Sequence, residues 1–576
     1  MLRLLKQFLR RGAAAALAAA MLCAGALAAE KSPAERRQED LDFLYEKVLV
    51  EAHPNAFAST TEAEFLRVKT EIASRLETES DVEFLLDLMR LTALAGDSHT
   101  MISVGNAAAF RIYPFAVVRR GEHWYLSAAA AEDKSLLCQE VTKLAGRPVE
   151  EVVGAYGTLF SSDNPVRLRR QFQQSCNIAD LYEYLGLVES GEPLTVTLKN
   201  GKALSLEPMD MEAMGQTEFA RLADRITGTP ATAAANAYYF AKPLTKDVYY
   251  IQYNTCREAE DLPMADFAAA VAKDLGAGRY RRVLLDLRNN GGGSDGVIWP
   301  LLEVLRREMD RGVKLVGLIG EATFSSALIN AVEIQEMGGV LAGEPAGGSV
   351  CHFGAVKTFS LPNSGVRGQV SSKYIDLNTL LDAGAGRGVE ALQSDILVYQ
   401  TMEDTLAGRD TLVEWCLTAR DRDLVPPNRY DAPLTRGRFV AQLHEALGSP
   451  AAAADGLPFA DSFGIEWFLP ALAWAKEAGI ARGAADGTFS AARPITWQEA
   501  AVFLSRTAKA LDVPLPDPAA DRAGPLPEAL ARGGNRDAVG EMWDAGLLQP
   551  SDADYTRGLT RSQGEELASA LAGLLK

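Results

Sequence analysis

The feature that most limits the fold is an alternation in the middle of the chain. Apolar runs at residues 248–253, 283–287, 314–320 and 339–342 are each short enough for a buried strand. Amphipathic stretches at 264–275, 297–307 and 327–337 separate them. Strands joined through helices pair in parallel, so the class is α/β with a largely parallel sheet.

Two of these strands run into unusual turns. The second ends in Asp286-Leu287-Arg288-Asn289-Asn290-Gly291-Gly292-Gly293, and the third leads into Thr323-Phe324-Ser325-Ser326-Ala327. A serine at a strand-to-helix junction stands outside the sheet, beside the helix's first N–H groups, which favour negative charge. That is the setting of a serine nucleophile. The same residues also fit a plain helix cap. Three glycines after a strand fit a phosphate cradle or a loop whose bare N–H groups face a reacting oxygen. Without a following Gly-Lys-Ser/Thr or a spaced G-x-G-x-x-G, the second reading stands. Turns on neighbouring strands could place Gly292 N–H and Ser326 N–H around one oxygen, as an oxyanion hole.

Residues 1–28 read as a secretory signal. Arg3, Lys6, Arg10 and Arg11 form a basic start, an Ala-rich apolar core follows, and Ala26-Leu27-Ala28 offers a cleavage site. Its removal takes the formal charge from −18 to −22, a poor balance for nucleic-acid binding. No later stretch is long and apolar enough to span a membrane, so no span is expected in the mature chain. Cys138, Cys176, Cys256, Cys351 and Cys416 remain, scattered and odd in number. No metal-type spacing appears among them, and buried free thiols are expected.

Helices are expected from Leu41, from Thr61-x-x-Glu64 and from Ser80-x-x-Glu83. The third runs into Gly96-Asp97-Ser98-His99-Thr100, which holds one of the five histidines in the chain. Taken alone, His99 fits a structural loop histidine. Residues 110–205 read as mostly strand with one or two helices, closing on a hairpin at Asn200-Gly201. They resemble a PDZ-like module, and an inert β-rich insert fits equally well. The 212–240 stretch, rich in Ala and Thr, reads as a connector.

Past Arg420 the composition changes. Pro426-Pro427 marks a linker, and Leu434-Thr435-Arg436, Ile495-Thr496-Trp497 and Leu559-Thr560-Arg561 then recur, each opening a helix.

Taken in order, these motifs resemble the C-terminal processing peptidase and tricorn-like family of serine peptidases. The match runs over residues 39–420, through the three motifs above, Gly343-Glu344-Pro345-Ala346-Gly347-Gly348, Gly388-Val389 and Ser394-Asp395-Ile396. The tail resembles S-layer homology repeats. The resemblance implies a ClpP/crotonase-like spiral ββα core at 246–420. It implies an N-terminal helical domain at 29–108, a PDZ-like β-rich domain at 109–210, a connector at 211–245 and a linker at 421–433. An all-α bundle of S-layer homology repeats would occupy 434–576.

By the same resemblance Ser325 is the nucleophile, and Gly292 and Ser326 give the oxyanion N–H groups. The C-terminal processing branch takes its base from a lysine after the serine, and that segment here reads Gly347-Gly348-Ser349-Val350-Cys351-His352. The tricorn-like branch uses a Ser-His pair, which Ser98-His99 matches. His99 is therefore the expected base, oriented in part by Ser98; His352 is the rival and Lys357 a distant third. The branch's glutamate before the Gly-Val is missing, which leaves Glu390 as the candidate orienting carboxylate. No metal or organic cofactor is implied.

In the tail, Thr435, Arg436, Thr560, Arg561 and Trp467 are the residues implied to bind cell-wall polysaccharide. Trp497 replaces the arginine in the middle copy. The expected protein is a secreted, bacterial wall-tethered serine endopeptidase acting on a protein or peptide substrate. The alternative is an inactive binding protein of the same fold.

Overall fold

The computed structural model describes residues 31–106, 110–230, 237–276, 280–377, 391–426, 434–452, 458–459, 469–491, 493–516, 525–531, 535–549, 553–556 and 558–575. Their architecture is mixed α/β. A six-stranded sheet lies at the centre, in the order Ile396–Leu397, Val340–Gly343, Lys314–Ile319, Arg282–Asp286, Val248–Tyr253, Tyr239–Pro243. The first five strands are parallel and the last is antiparallel.

The sheet is buried on both faces, as the unbroken apolar runs require. Tyr249, Ile251 and Tyr253 point to the face that holds the helices Met264–Leu275, Trp299–Asp310 and Ser326–Glu336. Val248 and Tyr250 point to the other, with Leu412, Val413 and Cys416 of the helix Thr411–Thr418. The Ala/Thr-rich stretch read as a connector does more than connect. It supplies the edge strand Tyr239–Pro243, and Phe219–Arg221 pairs with His123–Ala130 of a second sheet.

That second sheet is built on Phe115–Arg120, His123–Ala130, Glu140–Leu144, Leu194–Leu198 and Ala203–Leu206. Three helices accompany it, Val149–Tyr156, Pro165–Ser175 and Ala179–Tyr184, where one or two were expected. Its apolar side shares one core with the helices of the N-terminal part. The first of these starts at Pro33, earlier than the periodicity shows, because Ser32 and Glu35 form a capping box. It continues in wider, π-type turns over Leu44–Ala52. Glu62–Ala73 and Asp81–Ala93 begin at the expected caps, Thr61 and Ser80.

The two halves are stitched by a hairpin, Lys357–Ser360 with Arg367–Val370, whose second strand pairs with Met101–Ile102. At its tip Asp40 accepts from Asn363 N at 2.8 Å and Ser364 N at 2.7 Å. This hairpin fixes the Gly96–Thr100 loop against the central sheet. Gln369 donates to His99 O at 2.9 Å, and Ser371 N donates to Thr100 Oγ1 at 3.0 Å.

In the tail the helices Arg436–Ala446, Trp497–Ala510 and Arg561–Gly573 are N-capped by Thr435, Thr496 and Thr560, the recurring threonines. Their apolar faces join the core that covers one side of the central sheet. Among the described residues no helix is long and apolar enough to cross a membrane.

Candidate active site

Ser325 joins the strand Lys314–Ile319 to the helix Ser326–Glu336 with φ 55° and ψ −129°. A non-glycine residue held there costs of order 1–3 kcal/mol, so the surroundings must enforce it. Thr323 Oγ1 donates to Leu287 O at 3.0 Å and accepts from Gly320 N at 3.1 Å. Phe324 N donates to Asn290 O at 3.1 Å, and Ser326 Oγ donates to Gly293 O at 2.8 Å. The serine turn is thereby tied at several points to the glycine turn of the neighbouring strand. Ser325 occupies the N-cap position, yet its side chain caps nothing. The plain-cap reading fails: Ser325 is partly exposed and its hydroxyl is bound to no group among the described residues.

The glycine turn passes against the serine. Gly292 has φ +103°, and a Cβ on it would lie 2.7 Å from Ser325 Cβ and 3.1 Å from Ser326 N. Its N–H donates to Asn290 Oδ1 at 2.9 Å, and Asn290 is itself held by donating to Tyr253 O at 3.0 Å. One expected oxyanion donor is thus engaged in this state. Ser326 N–H, in the first helical turn, donates to no group among the described residues.

Both candidate histidines are here. The His99 ring stacks on Phe324, the residue before the serine, with centroids 4.3 Å apart, and on His352 at 5.3 Å. Arg167 covers the same Phe324 ring, its guanidinium carbon 4.1 Å from the centre. His352 Nδ1 lies 2.7 Å from Ser349 O, so the proton sits on Nδ1 and Nε2 keeps a buried lone pair. Neither ring nitrogen of His99 has a hydrogen-bond partner among the described residues. Burial, with His352 and Arg167 adding to it and Asp97 opposing, pushes His99 down to about 3. Burial likewise lowers His352. Both imidazoles are neutral near neutral pH, the form a general base needs.

Ser98 does not orient His99. Its hydroxyl donates to Asp163 Oδ1 at 2.5 Å and accepts from Asp163 N at 3.1 Å. The carboxylate beside the imidazole is Asp97, with Oδ1 at 4.0 Å from His99 Nδ1. Asp97 accepts from His99 N at 2.9 Å, Thr100 Oγ1 at 2.5 Å, Ser371 Oγ at 2.6 Å and His53 Nε2 at 3.1 Å. His53 Nδ1 accepts from Asn55 N at 3.0 Å, which leaves its proton on Nε2. Burial alone would raise Asp97, but the His53 hydrogen bond, the His99 ring and the two hydroxyls outweigh it and hold the carboxyl below its ordinary range. Burial pushes Asp163 the other way, up to about 6, against the bond from Ser98.

Sequence reasoning passed over Asp97, although it stands inside the Gly-Asp-Ser-His-Thr motif. It also missed Asp163, Asn164 and Arg167. Asn164 donates to Gly347 O at 3.1 Å and Ser349 Oγ at 2.9 Å, so the segment before the helix Pro165–Ser175 closes over the site. Glu390 and Trp467 lie outside the described residues. Lys357 is exposed on the stitching hairpin.

In the tail, Thr435, Arg436, Thr560 and Arg561, expected to bind sugar, all make contacts within the fold. Thr435 and Thr560 cap helices. Arg436 pairs with Glu499 at 2.6 Å and lies over Phe489 at 4.7 Å. Arg561 is buried and pairs with Glu336, the last residue of the helix that follows Ser325, at 3.3 Å. Arg438 pairs with the same carboxylate at 2.8 Å. Trp497 is buried against Tyr555, ring centroids 4.8 Å apart.

Residues 458–501 match the S-layer homology domain family model. No curated protein matches the chain. Among solved structures the chain is similar to mature CPAF complexed with lactacystin, at 12% identity and a TM-score of 0.44, covering 65% of this chain and 95% of that one. It is also similar to the photosystem II D1 C-terminal processing protease, at 14% identity and a TM-score of 0.31, covering 66% and 99%. The S-layer homology match falls on the middle of the three repeats read in the tail.

Proposed function

We propose that this chain is a serine peptidase of the bacterial cell surface, tethered to the wall by its S-layer homology tail. The observation that carries the reading is Ser325 itself. A strained serine at a helix N-terminus, with its hydroxyl uncommitted and a neutral histidine stacked on the adjacent residue, has the features of an activated nucleophile. The S-layer homology match supports the anchoring, and the signal-like residues 1–28 support export.

In the proposed reaction His99 takes the Ser325 proton as the hydroxyl oxygen attacks a peptide carbonyl. Asp97 compensates the imidazolium that forms, in the role first given to Glu390. The oxyanion lies between Ser326 N–H and Gly292 N–H once Gly292 exchanges Asn290 for the substrate oxygen. The amine leaves with a proton from His99, and water then hydrolyses the acyl-enzyme. The chain's division at 109, 211, 246 and 421, the spiral ββα core and the PDZ-like second sheet are part of the same proposal. So is endopeptidase action on protein substrates.

The engaged Gly292 N–H favours one second reading, a peptide-binding protein whose site stays closed. Hydrolysis of an unfolded protein such as reduced casein separates the two. Turnover by the wild type, lost in Ser325→Ala and His99→Ala, supports the peptidase. Turnover retained by His99→Ala and lost in His352→Ala would move the base to His352. Absence of turnover with intact peptide binding would favour the binding protein.

A further inference from the structure

Beside the serine turn lies a cavity of about 360 Å³ between the second sheet and the central one. Asn289, Gly320 and Ala322 form its floor, within a few residues of Gly292 and Ser325. Its wall carries Arg119 and Arg120 from the strand Phe115–Arg120 and Arg170 from the helix Pro165–Ser175. Arg288, Glu321 and Glu344 also line it.

The charges are unevenly paired. Arg288 is neutralised by Asp286 at 2.6 Å and Asp410 at 2.7 Å. Arg119 pairs with Glu321 at 3.1 Å. Arg120 is held by Thr405 Oγ1 at 3.0 Å and the Arg119 carbonyl at 2.8 Å, with no ion pair among the described residues. Arg170 has neither an ion pair nor a hydrogen bond among the described residues, although it is partly buried. Two carboxylates face these two guanidinium groups: Glu321, already paired with Arg119, and Glu344, which accepts from Gln400 N at 3.1 Å and which burial pushes towards its neutral form. A half-buried guanidinium without a partner forgoes much of its hydration, so a carboxylate entering the cavity replaces lost water with charge-assisted hydrogen bonds.

We infer that this cavity is an acidic-residue subsite, in which Arg170 and Arg120 bind the side-chain carboxylate of an Asp or Glu close to the scissile bond of a peptide. The inference rests on the peptidase reading for the direction of the peptide, and it deepens that reading by naming a substrate preference. The cavity's floor belongs to the same two turns that hold Ser325 and Gly292. A residue bound there is therefore within a few positions of the bond at the serine.

The test uses the full chain and a library of N-acetylated, C-amidated peptides, so that neither chain end carries a charge. Binding is read on the Ser325→Ala protein with matched Glu and Gln peptides, and cleavage sites are mapped on the wild type. The Glu peptide should bind roughly tenfold tighter than its Gln twin, the size of a charge-assisted hydrogen bond. The ratio should collapse when Arg170→Gln is added to the Ser325→Ala protein and recover in part with Arg170→Lys. A loss of fold in a variant would weaken both peptides and leave the ratio unchanged. Equal binding of the pair, or binding of neither, overturns the inference. A preference that appears only when the terminal carboxylate is left free overturns it as well, because the anion would then be the chain end. Cleavage without any acidic preference would sink the subsite and spare the peptidase, whereas selective binding without cleavage would do the reverse.

Discussion

Replacing Gly292 by alanine tests the joint between the two turns. At φ +103° a side chain costs about 1–2 kcal/mol in backbone conformation alone. The new Cβ would also sit 2.7 Å from Ser325 Cβ and 3.0 Å from Phe324 O. Neither neighbour is the loose end of a flexible chain, so relief requires movement of the turn, a further cost of about 1–3 kcal/mol. Gly292→Ala should therefore destabilise the protein by about 2–5 kcal/mol in urea unfolding. It should also displace the serine, and a displacement approaching 1 Å costs on the order of a hundredfold in turnover. Gly291 is the internal control: a Cβ there meets nothing within 4 Å. Gly291→Ala should stay within about 0.5 kcal/mol of wild type and keep its casein turnover. If Gly292→Ala unfolds and turns over like wild type, or if Gly291→Ala is equally damaged, the close approach of the turns is wrong.

Asp97→Asn should lower stability by about 2–4 kcal/mol, because an amide cannot accept from all the donors that converge on the buried carboxylate, and turnover should fall with it. Asp163 gives a pH dependence: its folded value is raised to about 6, so its stabilising contribution is full below the ordinary carboxylate value and is lost as pH rises through about 6. Denaturation from pH 4 to 7 should show a slope that Asp163→Asn flattens; identical slopes refute the buried acid. His99 acts in the opposite sense: its value is depressed to about 3, so its contribution is present above the ordinary histidine value and lost as pH falls from about 6.5 towards 3, a loss that His99→Gln should reduce. Removing the shared acceptor of two buried arginines by Glu336→Ala should cost about 3–5 kcal/mol in thermal or urea unfolding, and an unchanged melt would deny that the tail is latched to the serine's helix.

Four strands of the central sheet were legible because each is a short apolar run buried on both faces. Strands 248–253 and helix 264–275 fall where the pattern puts them. Caps at Thr61, Ser80, Thr435, Thr496 and Thr560 were legible because capping is a contact between residues close in sequence. The edge strand Tyr239–Pro243 was hidden by its Ala/Thr-rich neighbourhood, and the helix from Pro33 by its polar exposed face. At the site, the serine turn and the glycine turn could be named, but their side-chain partners could not. Ser98 was expected to orient His99 because the Ser-His pair matches the resembled tricorn-like branch; its hydroxyl instead reaches Asp163, 65 residues on. Asp97, overlooked within the motif, accepts from His99 N two residues on, and Ser371 Oγ, just past the hairpin, adds a donor that no local pattern records. Arg561 fits the sugar-binding pattern of the repeats the tail resembles, yet its charge is answered by Glu336, a contact across more than two hundred residues that no local pattern records.

Covalent capture is the most direct measurement. The full chain would be treated with a fluorophosphonate, digested, and the modified peptide located by mass. The account predicts a single adduct on Ser325, absent from Ser325→Ala and formed far more slowly in His99→Ala. A wild-type chain that leaves Ser325 unmodified, or carries the adduct on another serine, would contradict it.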